Sequence, residues 1–193
     1  APAFAKLNLT LEVLCRRDDG YHEVRSVLQT IDLADRLEIV SSSSLSVECD
    51  DASLKGQDNL VWQAAAALAK RGRTEPRAHI YIHKRIPVAM GLGGGSSDAA
   101  SALVALNRLW GLDLTVEELA QVAATIGSDV AFFLSGGTAL ATGRGEQVTP
   151  LPPLPPMAVI LVCPKFTVPN KTASVYSSLT PGQYSDGGIT CRM

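Results

Sequence analysis

Ile86-Pro87-Val88-Ala89-Met90-Gly91-Leu92-Gly93-Gly94-Gly95-Ser96-Ser97-Asp98 is the stretch on which the reading of this chain turns. Before it, Ala78 to Lys84 alternates apolar and polar residues as a strand does; after it, an alanine-rich helical run ends near Trp110-Gly111. A strand enters a glycine loop and a helix leaves it. Four glycines within five residues let the backbone turn its N–H groups inward, Ser96 and Ser97 add hydroxyls, and the helix contributes the positive end of its dipole. The result is an anion cradle suited to phosphate. It is not a Rossmann fingerprint, because Ser96 stands where the sixth position from Gly91 should be glycine, and it is not a Walker A loop, because no Gly-Lys-Ser/Thr follows. The plainer alternative is a tight strand-to-helix turn.

Towards the N-terminus, Leu7, Leu9, Leu11 and Val13 alternate with Lys6, Asn8, Thr10 and Glu12, which predicts one half-buried strand with a polar face. Arg16 to Gly20 is a turn, and further strands are expected through Ile39-Val40 and from Leu45 to Cys49. Asp58 is the expected cap of a helix through Ala64 to Lys70 that Gly72 stops. Towards the C-terminus, Thr115 and Glu118 form a capping box for a helix ended by Gly127, Ser128 caps a short helix carrying Asp129 in its first turn, and Thr138–Thr142 with Gln147-Val148 make a closing hairpin. Pro150 to Pro156 reads as a stiff linker. Beyond it, only an apolar strand, Met157–Cys163, and a short helix near Thr172–Leu179 are expected, too little for a core of their own. The division is therefore a domain over 1–155 and the beginning of a second over 156–193.

A chain of 193 residues, 46% hydrophobic and 19% charged, is an ordinary globular composition that rules out two large domains. A net charge of −2 supplies no global field to attract nucleic acid or an anionic membrane, so any anion must be held locally. No signal peptide or membrane-spanning run is visible, and Cys15, Cys49, Cys163 and Cys191 are too scattered for metal knuckles or a disulfide framework, which points to the cytoplasm.

Several side chains carry two readings. Asp129 compensates a helix dipole, the commoner reason for an acid there, or accepts a proton from an attacking hydroxyl. Lys6 is a surface lysine with a buried stem or a cation beside that carboxylate. Asp98 caps its helix or reaches a magnesium ion. His22 follows Tyr21 in a turn where a polar ligand and a stacking face would meet. His79 and His83, four apart on a strand, stand about 13 Å from each other and cannot share a metal ion.

Ala5-Lys6-Leu7-Asn8-Leu9, Asp19-Gly20-Tyr21-His22-Glu23, Asp58-Asn59-Leu60, the run from Lys84 to Ala100 and Gly127-Ser128-Asp129-Val130 together resemble the 4-diphosphocytidyl-2-C-methyl-D-erythritol kinases. These are enzymes of non-mevalonate isoprenoid precursor synthesis within the galactokinase, homoserine kinase, mevalonate kinase and phosphomevalonate kinase superfamily. The loop alone specifies the superfamily; Lys-Leu-Asn and Gly-Tyr-His narrow it. The resemblance implies an α+β N-terminal domain like ribosomal protein S5 domain 2, followed by the start of a ferredoxin-like C-terminal domain. It implies transfer of the γ-phosphoryl of ATP, with Mg2+, to the 2-hydroxyl of a cytidine diphosphate-linked methylerythritol. Asp129 matches the catalytic base and Lys6 the lysine beside it. Pro87, Val88, Ala89, Met90, Gly91, Leu92, Gly93, Gly94, Gly95, Ser96 and Ser97 match the ATP-phosphate loop, while Asn8, Tyr21, His22 and Tyr176 match substrate contacts, the rings on the cytosine. Two departures are the longer start Ala1-Pro2-Ala3-Phe4-Ala5-Lys6 and Ala131 where proline is usual. A chain ending at Met193 stops before the family's second glycine-rich motif, so a kinase cut short is the expectation.

Two other readings stand beside it. Another superfamily kinase, such as homoserine kinase, has no use for Tyr21 and His22. A non-catalytic nucleotide- or RNA-binding module would use an S5-like fold, but no basic patch supports it, and the P-x-x-P spacings are explained by a linker. The sequence assigns no oligomeric state and no nucleic-acid or membrane partner.

Overall fold

The computed structural model, which describes residues 1–54, 56–164 and 171–192, is organised on one strand of 19 residues. That strand is β3 (His22–Val40), the spine of a sheet with β1 (Pro2–Asn8), β2 (Glu12–Arg16), β4 (Ser46–Cys49), β5 (His79–His83), β6 (Thr138–Thr142) and β7 (Gln147–Pro150). Its order is β4-β5-β3-β6-β7, with β1 and β2 also paired to β3. Leu28 faces Asn8 across one edge and Ala139 across the other; Arg36 faces Pro2 and His83 in the same way. Among the described residues only β4 and β5 run parallel.

The helices are α1 (Leu60–Gly72), α2 (Gly94–Leu109), α3 (Val116–Ala124), α4 (Val130–Ser135), α5 (Lys171–Ser177) and α6 (Gly188–Cys191). The alternation of β5 buries Ile80 and Ile82, and these join Leu37, Val61, Leu68, Leu103, Leu106, Val122 and Val130 in the main core. Alanine at 64, 65, 99 and 102 lets α1 approach α2 closely. Each enclosed leucine such as Leu103 contributes about 1.5–3 kcal/mol. Thr115 and Glu118 make the expected capping box on α3.

The structure corrects several local expectations. The alternating N-terminal strand is two strands, broken between Asn8 and Glu12, and neither face is uniformly covered: Lys6 and Glu12 are buried, whereas Asn8 is exposed and Leu11 half exposed. Alternation gives the period of a strand but not which face is covered. Asn59, not Asp58, caps α1, since its Oδ1 accepts from Val61 N at 2.8 Å while its Nδ2 donates to Leu54 O. Gly72 is the last residue of that helix, and Arg73 takes the left-handed turn at φ 52°. Asp129, not Ser128, occupies the N-cap of α4, without a side-chain capping bond. Leu151 to Pro164 has no regular element, so the strand expected over Met157–Cys163 is absent. No neighbouring strand offers it a ladder, and an apolar composition alone does not hold an extended chain in a sheet.

The chain leaving β5 is pinned by buried charge. Lys84 Nζ bonds both Asp35 on β3 and Asp98 on α2, the latter at 2.7 Å, while Asp35 also accepts from the backbone N–H groups of Arg85 and Ile86. Asp98 is thus a partner of Lys84 and not a helix cap, the N-cap of α2 being Gly93. Burial pushes the Asp98 carboxyl up to about 7, with Lys84 pulling against the rise and Asp35 adding to it. A carboxyl whose pKa is higher in the folded than in the unfolded state loses stability as pH climbs from its unfolded value towards its folded one, here from about 4 to about 7. Asp98→Asn lacks that loss. The difference in melting temperature, variant minus wild type, is expected to be more positive near pH 8 than near pH 5; a difference independent of pH would mean that Asp98 is already ionised at the lower value.

Candidate functional site

Gly93 at φ 72° and Ala89 at φ 60° bend the loop between Ile86 and α2, and the non-glycine left-handed residue marks strain of the kind found at ligand sites. The N-cap of α2 has no side-chain hydrogen bond, which leaves the first-turn N–H groups of this 16-residue helix to a ligand or solvent. Gly91 and Gly95 are exposed and Ser96 half exposed, but Ser97 is buried, as is Leu92. The loop's accessible donors are therefore backbone groups and Ser96.

The loop lies directly on β1. Lys6 N donates to Leu92 O at 3.0 Å, and a Cβ on Gly93 would stand 2.7 Å from Phe133 Cζ and 3.1 Å from Lys6 Cγ. Only glycine admits this approach. The buried Lys6 side chain then places Nζ 2.6 Å from Asn8 Oδ1 and 3.5 Å from Asp129 Oδ2. The Lys6 and Asn8 side chains meet although two apart, and Asn8 Nδ2 donates to Ser26 Oγ at 2.7 Å. Asp129, 40% exposed, has one oxygen on the lysine and room for a hydroxyl group. A cation, a partly open carboxylate and a set of inward N–H groups are what phosphoryl transfer to an alcohol requires: a base, and stabilisation of developing charge.

The aromatic residues divide. The His22 ring lies 5.2 Å from Tyr176 at 33°, and 6.1 Å from Tyr184 edge-on. Burial, and after it the charge of Asp129, raises the Tyr176 hydroxyl pKa, which ties this ring to the carboxylate's neighbourhood. Tyr21 is exposed and carries the Arg144 guanidinium 4.7 Å from its ring centroid, where no ring contact joins it to His22 among the described residues. Sequence reasoning missed Tyr184, Arg144, Ser26, Asp35 and Lys84; only Lys84 had a local signal, standing just before the loop. His79 bonds Ser46 Oγ at 2.8 Å and His83 lies 3.2 Å from Glu38, separate surface contacts.

No group of three or more His, Cys, Asp or Glu side chains that could hold a metal occurs among the described residues. Asp98 is committed to Lys84. Ser96, half exposed, carries the loop's accessible side-chain oxygen.

Residues 59–137 match the model of the GHMP kinases N terminal domain. The chain is 50% identical over 185 residues to 4-diphosphocytidyl-2-C-methyl-D-erythritol kinase of Pelotomaculum thermopropionicum, with 94% of this chain and 64% of that protein covered. It is 43% identical over 190 residues to the kinase of the same name from Dehalococcoides mccartyi, covering 98% of this chain and 67% of that one. It thus spans about three-fifths to two-thirds of the length of these relatives. Among solved structures, a crystal structure of 4-(cytidine 5'-diphospho)-2C-methyl-D-erythritol kinase superposes with a TM-score of 0.82 at 39% identity, covering 96% of this chain and 66% of that one. Mevalonate kinase of Methanococcus jannaschii, 16% identical, superposes at 0.58 over 79% of this chain and 55% of its own, and shares the fold. With a GHMP kinase glycine loop packed on Lys6 and this extent of identity on both sides of it, the chain belongs to the 4-diphosphocytidyl-2-C-methyl-D-erythritol kinase family of GHMP kinases.

Proposed function

We propose that the protein transfers the γ-phosphoryl group of ATP to the 2-hydroxyl of 4-diphosphocytidyl-2-C-methyl-D-erythritol. The observation that carries the proposal is the placement of Lys6 Nζ 3.5 Å from Asp129 Oδ2 beside a loop whose Leu92 carbonyl is bonded to Lys6 itself. The names of the similar kinases support the choice of substrate. In this reading Asp129 takes the proton of the attacking hydroxyl and Lys6 holds that carboxylate and polarises the oxygen. Residues 87–97 would hold the triphosphate against the N-terminus of α2, and Mg2+, with Ser96 as the nearby hydroxyl, would supply charge neutralisation there. Asn8 orients Lys6 and reaches the substrate; Tyr21, His22 and Tyr176 supply faces for the cytosine.

We also read 1–155 as the ATP-and-substrate domain and 156–193 as the opening of a ferredoxin-like one. Ile160 and Val162, about nine-tenths exposed, support this as apolar surface that a further layer would cover. The setting is the cytoplasm, consistent with four free cysteines.

Incubation with ATP, Mg2+ and the cytidylyl substrate should give a phosphorylated product detectable by 31P NMR, and homoserine should give none. Turnover of homoserine alone would replace this substrate by another. Asp129→Asn is expected to lower kcat on the order of 10²–10⁴-fold with ATP affinity nearly unchanged, because a base acts in the chemical step. Unchanged turnover would remove Asp129 from that role. Gly94→Val brings a Cβ to 3.1 Å from Ile86 Cγ2 and 3.3 Å from Lys84 Nζ, with more bulk beyond. It should weaken ATP binding on the order of tenfold by calorimetry; equal affinity would count against the phosphate cradle.

A further inference from the structure

Glu12 on β2 is a buried carboxylate that no salt bridge reaches among the described residues. Its cross-strand neighbour is Arg25, but that guanidinium turns to Gly187 O at 3.4 Å and Cys191 Sγ at 2.9 Å. Burying a carboxylate away from a cation is costly unless donors surround it. All the donors that bond Glu12 come from one distant segment: Ser185 Oγ, Ile189 N at 3.3 Å and Thr190 N at 2.6 Å. Around them Ser185 N donates to Val13 O at 2.8 Å, and Thr190 Oγ1 to Thr10 Oγ1 at 2.9 Å. Gly187, at φ 80°, passes so close that a Cβ would meet Arg25 Nη1 at 2.8 Å. The β2–β3 pair grips this segment from two sides.

The segment follows directly on Tyr184, whose ring stands edge-on to His22, and is preceded by α5 with Tyr176 on the same imidazole. At its other end the clasp continues into the lysine site: Ser26 Oγ donates to Thr10 O at 2.5 Å and accepts from Asn8 Nδ2, and Asn8 accepts from Lys6.

We propose that Glu12 is a positioning residue for substrate recognition, its carboxylate fastening residues 185–190 to β2 and so holding Tyr184 and Tyr176 on His22. This rests on the cytidylyl-kinase reading above. The hydrogen bonds from Ser185 and Thr190 hold the Glu12 carboxyl down at about 2, so the clasp is fully made above the ordinary carboxylate range and would loosen only as pH falls towards that value. The charged group that faces Glu12 across the strand pair is Arg25.

The test is Glu12→Gln in the intact protein, which keeps the volume and one acceptor oxygen but loses the charge and the second acceptor. Amide exchange at Gly187, Ile189 and Thr190 is expected to quicken about tenfold, the loss of a hydrogen bond to a charged group, with β3 and β6 amides unchanged. KM for the cytidylyl substrate should rise by a similar factor, with kcat and KM for ATP within about twofold and the penalty flat between about pH 6 and pH 9. Unchanged exchange, or faster exchange with an unmoved KM, would overturn the proposal. Ser185→Ala, which leaves the carboxylate intact, should give the same pattern more weakly and decides the matter if Glu12→Gln does not fold. If wild-type protein fails to phosphorylate the cytidylyl substrate, the functional reading falls, and the exchange measurement alone still accepts or rejects the clasp.

Discussion

The carboxylate of Asp35 is the constraint on which the site's geometry depends. It is enclosed by the fold, and its partners are Lys84 Nζ and the backbone N–H groups of Arg85 and Ile86. A buried charge left without one of its partners costs about 3–5 kcal/mol, so the chain leaving β5 has essentially one path. That path sets Ile86 under Gly94, and the same lysine reaches forward to Asp98 in the first turns of α2. The N-terminal end of α2 is fixed to the central strand by charge, not by the loop, which is free to be mostly glycine. Burial is the main reason the Asp98 carboxyl resists ionisation, and Asp35, which shares its ammonium, adds to the effect.

The second constraint is steric. Between Phe4 and Lys6 the pairing of β1 slips, Phe4 lying opposite Ala34 and Lys6 opposite Thr30. Past the slip both Ala5 and Lys6 are covered, the lysine stem by the glycine loop and Phe133. Lys6 then has little rotamer freedom, and its ammonium is directed at Asn8 and Asp129 by packing as much as by charge. An ordinary surface lysine loses rotamer freedom only when it meets a partner; here the ordering is done by folding.

What the sequence disclosed was local. The strand–glycine–helix passage, the Thr115–Glu118 box and the alternation of Ile80 and Ile82 each depend on residues within a few positions, and each is present. Adjacent competitors could not be ranked: Asp58 and Asn59 are both good caps, and only the second bond from Asn59 to Leu54 O distinguishes them. Long-range partners left no spacing signal, since Asp35 and Lys84 lie 49 positions apart and Glu12 and Thr190 lie 178 apart. The polar alternation of Lys6, Asn8 and Glu12 was visible, but not that its two ionisable members are buried, Lys6 beneath the glycine loop and Glu12 beneath residues 185–190, while Asn8 between them is exposed.

The two buried polar clusters have one property in common, which bears on how the fold accommodates a reaction. Asp35 anchors the loop near one end of β3, and Arg25, with Glu12 opposite, holds residues 185–191 near the other. About ten residues of β3, roughly 30 Å, separate these anchors, paired to β6 over Ser26–Gln29 and to β1 on either side of its slip. The proposed phosphoryl transfer asks little of the protein beyond holding two reactants in line, which makes the separation of the glycine loop from the aromatic cluster the quantity to control. A continuous strand is stiff along its length in a way that a pair of loops is not. With one buried charge cluster towards each end, β3 sets the separation between the glycine loop and the ring cluster of His22, Tyr176 and Tyr184.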